Sequence, residues 1–183
     1  MLTLILGGAR SGKSRLAQRM AADATRVTYV ATYRSGSDPE MAQRIERHRA
    51  ARPTAWRTVE EPLALADVVE RSAQGCDFVL VDCLTIWLSN LLWEHRSSDT
   101  NSVEEITTAE LHRIAAAASH THVILVSNEV GSGIVPEHPV ARVFRDLQGF
   151  VNQWAAEAAD QVILAVAGLP LHLKNLHRGE GRS

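Results

Sequence analysis

Lysine is nearly missing from this chain: of its 19 basic residues only Lys13 and Lys174 are lysines, and the rest are arginines. A cluster of arginines is therefore weaker evidence for a binding patch than it would be in a chain that mixed the two. An excess of one charge is lacking too, since the formal net charge is −2. That excludes a chain-wide basic field and leaves any phosphate-binding charge to be local. Aromatic residues make up 5% of the chain, too few for a base-stacking array, so no nucleic-acid partner is expected. The two cysteines, Cys76 and Cys83, fit no metal spacing and suit buried thiols in a reducing compartment. No long apolar run occurs, and no basic stretch leads into an apolar one near the start. Neither a membrane span nor a signal peptide is expected, and the setting reads as cytoplasmic. The Asn/Thr-Lys-x-Asp element of guanine-specific switch proteins is absent as well, because Lys174 is followed by Asn-Leu and Lys13 lies in a glycine-rich loop.

What is present is a chain of 183 residues, 45% hydrophobic and 22% charged, enough for the core of one α/β domain. Short apolar runs at 2–6, 26–32, 77–82, 122–127 and 161–167 alternate with helix-like segments near 12–23, 39–51, 62–74, 84–95, 103–118 and 138–159. Near-continuous apolar strands separated by helices imply a mostly parallel sheet with helices on both faces. Asp38-Pro39 and the pair Ser102 and Glu105 read as helix starts, the second as a capping box. Segment 95–102 reads as a polar loop. A single domain over 1–174 is expected, with 175–183 too poor in apolar residues to pack and expected to be disordered.

"GGARSGKS", Gly7 to Ser14, satisfies G-x-x-x-x-G-K-[ST] between an expected strand and an expected helix. Such a loop wraps backbone N–H groups around a phosphate at the positive end of a helix. The fold expected is therefore P-loop NTPase-like. Lys13 is placed to reach the β/γ-phosphates and Ser14 to ligate Mg²⁺. Asp82, closing the apolar run "FVLVD", is the expected second ligand of that ion, although an Asp after a strand also serves as a helix cap or turn residue. The chain is too short for the extra domains of a motor or transporter ATPase, which favours transfer to a small molecule.

"PEMAQRIERHRAAR" reads as a helix with Met41, Ile45 and His48 along one stripe and Arg44 and Arg52 a turn to either side of His48. Flanking cations favour a neutral, nucleophilic imidazole, and the same guanidinium groups can orient a triphosphate. An arginine-rich solvated face fits the spacing equally well, and spacing alone leaves the two open.

"GGARSGKS", "YVAT", "PEMAQRIERHRAARP", "WRTVEEP", "NEVGSGIVPE" and "ARVFRDLQGFVNQWAAEAADQV" together resemble the bifunctional adenosylcobinamide kinase / adenosylcobinamide-phosphate guanylyltransferase family of cobalamin assembly, in order, from Leu2 to about Lys174. The resemblance implies two reactions. ATP or GTP phosphorylates the hydroxyl of the aminopropanol arm of adenosylcobinamide. GTP then loads GMP onto a histidine, releasing pyrophosphate, and GMP passes to adenosylcobinamide phosphate to give adenosylcobinamide-GDP. It makes His48 the guanylylated residue and, with Lys13, a catalytic one. Relatives often have two adjacent histidines where this chain has Arg47-His48. Nucleotide-binding positions implied are Gly7, Gly8, Ala9, Arg10, Ser11, Gly12, Lys13, Ser14, Ala31, Thr32, Tyr33, Arg49, Ala50, Ala51, Arg52, Glu60 and Asp82, with Ser14 and Asp82 toward Mg²⁺. "NEVGSGIVPE" is implied to be a flexible loop near the substrate, a plain surface turn being the bland reading. The family is typically trimeric, and the segment around Trp87 and Trp93 is where a subunit contact is expected if that helix is not simply core. Two other readings compete: a different small-molecule P-loop kinase with no covalent nucleotidyl intermediate, and a regulatory nucleotide-binding module without net chemistry.

Overall fold

The computed structural model describes residues 1–34, 53–96 and 100–175. Seven strands form one sheet in the order β3-β2-β4-β5-β1-β6-β7. They are β1 (Leu2–Gly7), β2 (Val27–Ala31), β3 (Arg57–Glu60), β4 (Phe78–Asp82), β5 (His122–Asn128), β6 (Gln161–Val166) and β7 (Leu169–Asn175). The first six run parallel and β7 pairs antiparallel with β6. The described helices are α1 (Lys13–Met20), α2 (Leu65–Ala73), α3 (Leu84–Glu94), α4 (Thr100–Ala117) and α5 (Pro139–Ala158).

The central strands are apolar on both faces because both faces are covered. Leu2 and Leu4, Val79 and Val81, and Val123 and Leu125 face a layer built from α2, α3, α4 and α5. Their neighbours Ile5, Leu80, Ile124 and Val126 face the other side, where α1 supplies Ala17, the residue just after it is Ala21, and the loop before β3 supplies Trp56. Full burial of an aliphatic side chain such as Leu80, which has no exposed surface, contributes roughly 1.5–3 kcal/mol. Trp87 is fully buried and its indole N–H donates to Leu63 O at 2.8 Å, whereas Trp93 is 65% exposed. The two tryptophans thus split between core and surface.

Five expected strands and five expected helices are present with shifts at their ends; the helix expected at 39–51 lies outside the described residues. Strands β3 and β7 were not expected. The expected capping box is corrected: Ser102 lies inside α4, which already includes Thr100, so it is not the residue preceding the first turn. That helix also takes up the end of the polar segment 95–102. Asn175, assigned to the tail, closes β7 against Gln161.

Candidate active site

Strand order positions the site. From β1 the chain crosses by α1 on one face to β2, while from β5 it crosses by α5 on the other face to β6, the neighbour of β1 on its far side. Diverging connections leave a crevice above the carboxyl ends of β1 and β5, the place where open α/β sheets take their ligands.

The phosphate loop fills that crevice. Ser11 N donates to Gly8 O at 3.3 Å and Leu16 N to Gly12 O at 2.9 Å. Arg10 (φ 58) and Gly12 (φ 92) turn the chain through the left-handed region. At Gly12 a side chain is excluded twice, by its φ and because a Cβ would lie 3.1 Å from Gly168 Cα. Gly168 is in the two-residue turn joining β6 to β7, and its N–H donates to Ser11 O at 2.8 Å, so this hairpin buttresses the loop. Lys13 is buried, with Nζ 3.0 Å from Gly8 O inside the loop. Ser11 Oγ is buried without a protein partner and packs against the backbone of Gly7, where an added Cβ would meet it.

Asp82 stands two strands away, because β5 lies between β4 and β1. At strand spacings near 4.8 Å that separation is about 10 Å between backbones, too far for direct contact and suited to a bridging ion and phosphate. Tyr29 Oη donates to Asp82 Oδ2 at 2.7 Å and fixes the carboxylate. The metal ligands expected from the sequence are one hydroxyl, Ser14, and one carboxylate, Asp82. No group of three or more His, Cys, Asp or Glu side chains that could hold a metal occurs among the described residues. Such a sparse, all-oxygen set fits Mg²⁺, which keeps waters and leans on substrate phosphates instead of a protein cage.

The other expected positions fall into three groups. Ala31 and Thr32 are fully buried. Thr32 Oγ1 donates to Cys83 O at 2.7 Å and accepts from Cys83 N at 2.9 Å, so this threonine stitches the end of β2 to the residue after Asp82. Burial, then the neighbouring Asp82, pushes the Cys83 thiol up to about 11, leaving it an inert neighbour. Tyr33 Oη donates to Glu60 Oε1, joining the ends of β2 and β3, with Glu60 exposed. His48, Arg49, Ala50, Ala51 and Arg52 lie outside the described residues.

Sequence reading missed several supports. Asn90 Nδ2 donates to Thr32 O at 2.7 Å, and Thr85 Oγ1 accepts from Asn128 N at 2.8 Å. A cavity of about 330 Å³ opens beside them, lined by Tyr33, Arg34, Ile86, Asn90 and Phe144. Arg34 there gives one amino group to Glu94 at 2.9 Å, while its buried Nε has no protein partner. Only strand pairing reveals these neighbours, and no local motif encodes it.

Residues 3–173 match the family described as cobinamide kinase / cobinamide phosphate guanyltransferase. The chain belongs to that family. It is 47% identical over 175 residues to the bifunctional adenosylcobalamin biosynthesis protein CobP of Pseudomonas aeruginosa, covering 95% of this chain and 98% of that one. It is 42% identical over 182 residues to the bifunctional adenosylcobalamin biosynthesis protein CobU of Escherichia coli, covering 95% and 100%. Among solved structures it is similar to an ATPase of a bacterial type III secretion system, with TM-score 0.60 and 13% identity over 93% of this chain and 56% of that one. EscN of enteropathogenic E. coli gives TM-score 0.56 and 14% identity over 91% and 43%. The chain spans about half the length of those ATPases, and the likeness concerns the α/β P-loop fold alone.

Proposed function

We propose that this chain performs both reactions of the cobinamide kinase / guanyltransferase family on one catalytic unit spanning 1–174. The observation that carries the reading is the complete phosphate loop, with buried Lys13 and the orphan Ser11 hydroxyl, facing a fixed Asp82 across β5.

In the kinase step the hydroxyl oxygen of the acceptor's aminopropanol arm attacks the γ-phosphorus of ATP or GTP. An O–P bond forms, the bond to the β-phosphate oxygen breaks, the nucleoside diphosphate leaves, and the hydroxyl proton is lost. Lys13 and the loop amides hold the β/γ-phosphates in line and offset the charge on the leaving oxygen. Mg²⁺ bound between Ser14 and Asp82 would supply further charge neutralisation on the phosphates. In the transferase step an imidazole nitrogen of His48 attacks the α-phosphorus of GTP and pyrophosphate leaves. A phosphate oxygen of the phosphorylated acceptor then displaces the histidine, giving the GDP-linked product and restoring the imidazole. Splitting the transfer in two is the advantage of a covalent nucleophile. Tyr33 and Glu60, already joined, are assigned to the nucleotide with Arg49 and Arg52. The reading keeps a cytoplasmic setting and a homotrimer, which light scattering on the purified protein tests directly.

Covalent labelling tests the chemistry. Protein incubated with Mg²⁺ and GTP labelled at the α-phosphate takes up acid-labile, alkali-stable label; γ-labelled GTP gives none, and His48→Ala gives none. Absence of label from wild-type protein that binds GTP would return His48 to an arginine-rich surface and leave a plain P-loop kinase.

A further inference from the structure

The nucleotide positions implied by the resemblance fall on two sides of Asp82. The phosphate loop follows β1, whereas Tyr33 lies just past β2 and Glu60 closes β3, and the strand order sets β5 and β4 between β1 and β2. At strand spacings near 4.8 Å the backbones of β1 and β2 are about 14 Å apart. A phosphate loop cradles the α/β-phosphates on its amides, its lysine reaches β and γ, and the metal bridges β and γ. With that metal between Ser14 and Asp82, the γ-phosphate points toward β4. The α-phosphate, ribose and base then leave on the opposite side of β1, toward β6 and β7. A nucleotide held this way cannot also set its base on Tyr33 and Glu60.

On that opposite side stands Arg15, in the first turn of α1. Helical side chains lean toward the helix N-terminus, which brings this one back to the lip of the phosphate loop. Its guanidinium lies against the turn joining β6 to β7: a Cβ added at Gly168 would fall 3.2 Å from Arg15 Nη2, and one added at Gly12 3.9 Å. The group is exposed and, unlike Arg26, Arg34 and Arg113, makes no ion pair or hydrogen bond. We infer that Arg15, over the turn at Ala167 and Gly168, is the base subsite for the nucleotide spent in the kinase step, its flat guanidinium stacking on the purine. The inference rests on the proposed function and separates this subsite from the Tyr33 and Glu60 positions, which serve the GTP of the transferase step. A guanidinium plane stacks on aromatic faces, and every base has such a face. Ala167 and Gly168 carry no polar side-chain atom to read a purine edge, so adenine and guanine are gripped alike.

The test uses Arg15→Ala in the full chain, with adenosylcobinamide as acceptor. Expected is a KM raised about two- to fivefold for ATP and for GTP alike, the range of one exposed cation–π contact, with kcat and the melting temperature unchanged. Inorganic tripolyphosphate carries the phosphates without a base, and its inhibition of the kinase step stays at wild-type strength. Guanylylation of the enzyme at limiting GTP, which needs no corrinoid, keeps its wild-type rate. A KM left unchanged, or raised for one purine alone, overturns the inference. So does weaker inhibition by tripolyphosphate, which makes Arg15 a phosphate contact, and so does slower guanylylation, which gives both steps one base subsite. A wild-type chain that phosphorylates no adenosylcobinamide would sink the functional reading instead, and calorimetric titration of both proteins with ATP and with tripolyphosphate, each with Mg²⁺, still reads the subsite.

Discussion

The two ends of the sheet are built on opposite terms. At the amino ends of the strands, polar groups find partners within the protein. The Met1 ammonium donates to Ala118 O and Thr121 O, and Leu2 N donates to Asp160 Oδ2 at 2.8 Å. Thr3 Oγ1 meets His122 Nε2 at 2.9 Å, and Asp77 accepts from Thr25, Arg26 N and the Arg26 guanidinium. At the carboxyl ends, Ser11 Oγ and Arg34 Nε are buried without partners. All the positive-φ residues among those described, Arg10, Gly12, Ala167 and Gly168, lie at this end. A buried polar group without a partner costs free energy, and strained backbone is retained where surrounding structure over-determines it. One end is finished by folding, whereas the other is left to be finished by a ligand.

The largest effect that would sharpen this contrast is at Lys13. Lys13→Ala is expected to lower both the kinase and guanylylation rates by about 10²–10³-fold, the scale of one preorganised donor lost from a transition state, while the melting temperature stays close to wild type. Steady-state rates paired with thermal melts measure it, and a variant that melts early but retains its rate would blur the division. Asp160→Ala should behave in reverse. It strips the buried Leu2 N–H of its acceptor, costing about 1–3 kcal/mol in a urea titration, with kcat unaltered. Gly168→Ala probes where stability and ligand binding meet, since its φ is +82 and its N–H holds Ser11. An L-residue there costs about 1–2 kcal/mol, and isothermal titration should show nucleotide binding weakened several-fold.

The effect with the least bearing on activity is a pH dependence of stability at the closed end. Burial first, and then the Met1 ammonium, lowers the His122 pKa from 6.5 to about 4, against a smaller opposing pull from Asp160. Between those values the unfolded chain binds the proton and the folded chain does not. Stability therefore rises with pH across that window and is lost as pH falls through it. Replacing His122 with Gln is expected to flatten the slope from pH 6.5 to 4 in denaturant melts while leaving the pH profile of activity in place. A slope unchanged in the variant would remove His122 from the account.

The same division governs what could be read from the sequence. The runs that become β1, β2, β4, β5 and β6 are legible because strands buried on both faces must be continuously apolar. Strand β3 escaped because "RTVE" sits at the sheet edge with three of its four residues exposed. Strand β7 escaped because it alternates, carries Pro170, and follows an Ala-Gly turn instead of Asn-Gly. At the site, the phosphate loop was legible because its chemistry is contiguous in the chain. The Thr32 stitch to Cys83 joins residues 51 apart in sequence, and the interposition of β5 is a fact of strand order that no local pattern carries. His48 was read from its neighbours and from family likeness, and nothing described in the fold bears on it.

The hairpin that props the phosphate loop has a consequence for how the protein is made. The loop is synthesised well before the segments that support it: β1 is walled by β5 and β6, which begin at His122 and Gln161, and Ser11 leans on Gly168. Contacts of such sequence separation form late and at a high entropic cost. A nascent chain thus carries its nucleotide-binding sequence without a nucleotide-binding site until β5, β6 and the turn after β6 have followed it out of the exit tunnel.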